Sequence, residues 1–118
     1  MDISSFCLSL PEASVSPHFE KTSFRVRKKI FATLDHKKGL LVVKLSHVDQ
    51  SVFMDMSKGS IQAVPGGWGK KGWTQVTLSD EKNNELIEDL IRTAYCEVAP
   101  DKLSNTLGES TGLLNLNS

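Results

Sequence analysis

Lysines set beside tryptophans suit a polyanion, because an ammonium can meet a phosphate oxygen while an indole stacks on a base. The stretch from Val64 to Ser79, VPGGWGKKGWTQVTLS, has that make-up. Lys70 and Lys71 lie between Trp68 and Trp73, with four of the chain's eight glycines around them. A second basic cluster, RVRKK, runs from Arg25 to Lys29, and Lys44 interrupts an apolar segment. Gly67, Gly69 and Gly72 spell GxGxxG, but a dinucleotide fingerprint needs a strand before it, a helix opening after it and an acid about twenty residues on. Here the last glycine leads into WTQVTL, whose alternation is that of a strand. No GK[ST] phosphate loop and no kinase signature accompanies the glycines. Their plainest role is a flexible hairpin turn in which glycine permits positive φ.

Other reactive residue types are present without the spacing that chemistry requires. Cys7 and Cys96 lie near opposite ends with no CxxC pattern, and His18, His36 and His47 fall on three different elements, so reduced, buried thiols and no metal site are expected. Glu81, Glu85 and Glu88 would fall within about 60° of one another on a helix. Such a ridge can hold a hard cation weakly, yet Arg92 four residues beyond Glu88 suits plain surface pairing. No grouping assembles a nucleophile, a base and an orienting residue. The expectation is a binding module with neither catalysis nor cofactor.

These residues need a scaffold, and 118 residues with 39% hydrophobic and 24% charged content suffice for one domain with its own core. Fourteen acids balance fourteen bases, but not locally: Glu20 to Lys44 holds eight bases and two acids, Ser79 to Asp101 seven acids and two bases. A dipolar domain is expected. No apolar run has membrane-spanning length, and no basic start precedes a leader-like stretch, so a cytoplasmic monomer is expected.

Asp2 is placed to cap a helix with Ile3, Phe6, Cys7 and Leu10 on one side, and Pro11 stops it. Five strands are expected. His18 to Arg27 turns Phe24 and Val26 inward. Lys29 to Asp35 turns Ile30, Ala32 and Leu34 inward, and Leu40 to Ser46 does so with Leu41, Val43 and Leu45. Ser60 to Val64 and Trp73 to Leu78 complete the set. Between them Asp49 would cap a short helix with Val52, Phe53 and Met56 inward. Ser79 would cap a long one, Asp80 to Val98, whose stripe is Leu86, Ile87, Leu90, Ile91 and Ala94. The order implies an α+β domain, an antiparallel sheet with the N- and C-terminal helices on one face. The open face would gather Arg25, Arg27, Lys29, Phe31, Lys44 and Trp73. Residues 103–118, rich in Ser, Asn, Gly and Thr, read as a flexible or partly ordered tail after a domain of residues 1–102.

Four stretches carry a resemblance: LPEA from Leu10, HFEKTSFRVRKKIFATL from His18 to Leu34, the GxxGW entry from Gly69 to Trp73, and TAYCEVAP from Thr93 to Pro100. In these the chain resembles the YjbR/MmcQ family, small domains often labelled DNA-binding and similar in fold to the frataxin-like CyaY proteins. The resemblance implies a two-layer α+β fold and a nucleic-acid role. Family members often carry Ser-Tyr where this chain has Ala94-Tyr95, so no role for that serine carries over. With the residue reading, it points to weak, largely sequence-independent DNA binding by Arg25, Arg27, Lys29, Lys44, Lys70 and Lys71 at phosphates and Trp68 or Trp73 at bases. The same face could instead take a protein or a small molecule.

Overall fold

The computed structural model describes residues 1–18 and 20–105 of the chain. Its elements in order are α1 (Ile3–Leu8), β1 (Ala13–His18), β2 (Lys21–Val26), β3 (Lys29–Asp35), β4 (Leu40–Lys44), α2 (His47–Met56), β5 (Ile61–Ala63), α3 (Gly67–Lys70), β6 (Trp73–Thr77) and α4 (Asn84–Val98). The strands form one antiparallel sheet in the order β1-β2-β3-β4-β6-β5. Its buried face presents Phe24, Val26, Leu41, Val43, Ile61 and Val76 to the helices. The expected stripe of α4, from Leu86 to Ala94, is buried there as α4 crosses β3 and β4. Asp2 caps α1 by accepting from the Ser5 amide, and Cys7 enters the same core. Arg92 of α4 lies 5.3 Å from the Phe6 ring of α1, so both terminal helices cover one face.

Tyr95 is fully buried, a side chain that the apolar stripe did not include. Its ring meets Phe31 edge-on, with centroids 5.5 Å apart, and its hydroxyl donates to the Pro11 carbonyl at 2.6 Å. This bond ties α4 to the segment between α1 and β1, and burial raises the phenol's pKa. Tyr95→Phe should cost about 1–2 kcal/mol, since it leaves a carbonyl without its donor. A denaturant titration showing no change would remove the bond's structural role. Burial likewise pushes the Cys7 thiol up to about 12, which keeps it protonated, whereas Cys96 is exposed, against the expectation that both thiols are buried.

Several expectations need correction. The sheet has six strands, because Ala13–His18 forms an edge strand paired with β2. Its two serines and Pro17 hide it, and an edge position tolerates the proline. Within the β2–β3 pair, Phe24 faces Ala32 while Arg25 faces Ile30, so Phe31 is an inserted residue with no partner. This bulge breaks the alternation. Phe31 goes into the core, and Ile30 comes out on the open face beside Arg25.

Helix starts moved as well. Ser46, not Asp49, caps α2, and Phe53 is buried while Val52 and Met56 are exposed, because the inward side of this helix is shared by Gln50. Asn83, not Ser79, caps α4. Residues 80–82 therefore precede the helix, with residue 80 ending a turn at residues 78–80, and the Glu81 carboxylate accepts from the Ser60 hydroxyl at 2.6 Å and the Asn83 amide at 3.1 Å. The ridge of three glutamates does not form. Residues 101–105 begin a further helical turn whose Leu103 is buried in the core, and the remainder of the expected tail lies outside the described residues. No helix among the described residues is long and apolar enough to cross a membrane.

Candidate functional site

Directly paired residues of neighbouring strands share a face, so the register gives the composition of the uncovered side. Its central row runs Ser16, Ser23, Thr33, Val42, Gln75 and Gln62, one residue from each strand. On one side of this row Lys21 stands opposite Asp35 and Asp35 opposite Leu40; on the other Ser14 faces Arg25, Arg25 faces Ile30, and Lys44 faces Trp73. The sheet's curvature and the segment before β6 make this a shallow depression of about 510 Å³. Ile30, Leu40, Val42 and Val64 supply its apolar surface, Trp68 and Trp73 one wall, and Lys21, Lys38 and Asp35 line it as well.

The glycine-rich segment is not the flexible turn its composition suggests. Residues Gly67–Lys70 make one turn of helix, and Gly69 within it and Gly72 just after it are places of close approach. A Cβ on Gly69 would sit 2.1 Å from the Val64 carbonyl oxygen, and one on Gly72, at φ +101°, 1.9 Å from that of Leu45. Space that a phosphate would need is thus occupied by the protein's own acceptors, and this is why GxGxxG here is not a phosphate cradle. Three side chains then cap successive carbonyls at the end of the turn. Gln50 donates to Gly69 at 3.1 Å, His47 to Lys70, and the Lys44 ammonium to Lys71 at 2.7 Å.

The held turn displays an aromatic corner. Trp68 is 63% exposed and packs edge-on to the half-buried Trp73, their centroids 6.3 Å apart. The Lys71 ammonium lies 5.7 Å from the Trp68 ring. Arg25 and Lys44 lie on the open face, Lys71 stands beside the tryptophan wall and Lys70 is exposed at the end of the turn, though Lys44 is committed to the turn's carbonyls. Arg25 has its Nε closed off from water without an acceptor, and a terminal nitrogen 3.4 Å from the Lys28 carbonyl.

Two expected cations are elsewhere. Arg27 and Lys28 are the two-residue β2–β3 turn, with φ of 50° and 71°. From there the Arg27 guanidinium makes a forked pair with Glu12, at 2.5 and 3.1 Å, which lowers the carboxyl's pKa and raises that of the guanidinium. Lys29 faces Val26 and so falls on the helix side. Lys21, Lys38, Thr33 and Gln75 are the residues that reading the sequence for site positions did not select. Period-two alternation from Trp73 already placed Gln75 on this face, but an uncharged amide drew no attention. Asp35, by contrast, is occupied: its carboxylate accepts from the Lys37 and Lys38 amides, and chiefly the latter lowers its pKa. Among the described residues no group of three or more potential metal ligands converges.

The family model YjbR matches residues 8–97. The chain belongs to the YjbR family. Among solved structures it is similar to a Deinococcus radiodurans protein with a DUF419 domain, at 23% identity and a TM-score of 0.72, covering 92% of this chain and 84% of that one. That likeness carries the fold alone. No curated protein matches the chain. In this YjbR domain the match spans β1 to nearly the end of α4, and so includes both the open face and the turn that walls it.

Proposed function

We propose that this protein is a non-enzymatic binding module whose open sheet face takes single-stranded nucleic acid, DNA in the first instance. The observation that carries this reading is the capped Trp68 turn, which holds one exposed indole and Lys70 and Lys71 at the wall of a partly apolar depression of about 510 Å³. Stacking a base on an indole is worth about 1–3 kcal/mol, and lysines near the phosphates add affinity by releasing counterions. A duplex keeps its bases stacked and paired, so it cannot fill the depression. The departure of Arg27 and Lys29 lowers the expected count of phosphate contacts and makes binding weak. A second reading, a planar small-molecule anion in the same depression, is favoured by Lys21 and Lys38 beside its apolar lining.

The test is a titration of labelled single- and double-stranded oligonucleotides at two salt concentrations. With three or four phosphates neutralised, log affinity for the single strand should fall against log salt with a slope of roughly −2 to −3, and Lys70→Ala/Lys71→Ala should make it shallower by about 1.4. Trp68→Ala should weaken binding by about 5- to 150-fold without altering the slope. Absence of binding at low salt, or binding indifferent to salt and to these side chains, would sink the nucleic-acid reading. Binding of a free nucleotide as tight as that of the oligonucleotide would favour the small molecule.

A further inference from the structure

Two glutamines approach the aromatic corner, and they are used differently. The Gln50 amide is spent inside the fold, donating to the Gly69 and Trp73 carbonyls and to the Thr74 hydroxyl at 3.1–3.3 Å. The Gln75 amide makes no hydrogen bond within the described residues, although it lines the depression. It lies two residues from Trp73 on the same face of β6, roughly 7 Å along the strand. Its cross-strand neighbour on one side is Val42, which cannot hydrogen-bond, and on the other the exposed Gln62. A ring stacked at the tryptophan corner would therefore bring its edge down beside the free Gln75 carboxamide, the Thr33 hydroxyl lying beyond Val42 one strand further from the tryptophans.

Resting on the single-strand reading above, we infer that Gln75 reads the base edge at this corner and selects adenine. A carboxamide offers one N–H and one carbonyl side by side. Adenine answers with an acceptor ring nitrogen beside its exocyclic amine, a pairing that a glutamine makes with two hydrogen bonds. In a single strand the Watson–Crick edges of guanine, cytosine and thymine also offer a donor beside an acceptor, but adenine alone of the purines repeats that pair on its N7 edge, where guanine shows two acceptors, and the pyrimidine rings give up stacking area on the indole. The lysines are indifferent to the base, so selection is local to one position while most of the affinity stays with the phosphates.

Short abasic oligonucleotides carrying a single adenine, guanine, cytosine or thymine, titrated at low salt, provide the test. The adenine probe should bind at least about 5-fold tighter than the others, the low end of what a two-bond contact discriminates. Gln75→Met, which keeps length and removes both polar groups, should abolish that preference and leave the salt slope unchanged. Gln75→Glu should shift the preference to cytosine, whose amine a carboxylate accepts. If all four probes bound alike while Trp68→Ala still weakened them, the Gln75 assignment would be wrong and the open-face reading would stand. An adenine preference unchanged by Gln75→Met or Gln75→Glu would overturn the assignment too. Failure of every probe and of a full oligonucleotide would end both.

Discussion

Leu90→Ala is expected to lower the unfolding free energy by about 2–5 kcal/mol, a large part of the ~5–15 kcal/mol that holds a domain of this size together. Leu90 has no solvent exposure and sits mid-way along the α4 stripe, where the helix crosses the central strands. Removing its branched end takes away the transfer free energy of the lost atoms. It also leaves a void that Ile87, Ile91 and Ala94 can close only by moving a helix pinned at one end by the Asn83 cap and near the other by Tyr95. The control is Val48→Ala. That residue is 72% exposed on α2, so the change should stay within about 0.5 kcal/mol. Denaturant melts should show a lower midpoint with an unchanged slope for Leu90→Ala alone. An unchanged midpoint would mean that α4 buries a different side.

Patterns confined to one element were readable from the chain. The α4 stripe, the Asp2 cap and the inward alternation of β2, β4 and β6 all depend on neighbours within a few residues, and the structure keeps them. What could not be read depends on distant partners. Nothing local tells that Phe31 is an inserted residue, because only pairing with Phe24 and Arg25 reveals the extra position. Arg27 looks like its basic neighbours until Glu12, fifteen residues earlier, captures it. Ser79 and Asn83 are caps of equal quality by type, and the choice goes to the later one as the Thr77 carbonyl draws the amides of Asp80 and Glu81 into a turn. The dipolar expectation gains a geometry from this. Glu85, Asp89 and Glu97 are exposed on the helix layer, while Lys21 and Lys38 line the other side of the sheet and Lys71 stands beside its tryptophan wall. A polyanion would be turned toward the open face before contact.

The glycine-rich turn supports the second large prediction, which separates a packed corner from a flexible loop. Gly72→Ala should cost about 2–6 kcal/mol. The φ of +101° is strained for any residue with a side chain, and the new methyl would lie 1.9 Å from the Leu45 carbonyl oxygen and 3.2 Å from the Lys44 ammonium. No side-chain rotation relieves a contact with backbone. Strand β4 and the turn would have to part, breaking the bond from the Leu45 amide to the Gly72 carbonyl and freeing the Lys71 carbonyl from Lys44. Gly67→Ala is the matching control. A Cβ there meets nothing within 4 Å, and in a helical turn alanine should be neutral or stabilising by up to about 1 kcal/mol. A mobile hairpin would treat the two substitutions alike. Both tryptophans of the chain belong to this corner, so intrinsic indole emission reports on it directly. Gly72→Ala should red-shift that emission and lower the melting midpoint, and at temperatures where the variant remains folded it should weaken oligonucleotide binding as far as Trp68→Ala does. If instead both alanine variants kept wild-type emission and midpoint, the turn would be flexible, and a preformed aromatic wall could not be the feature that recognises a base.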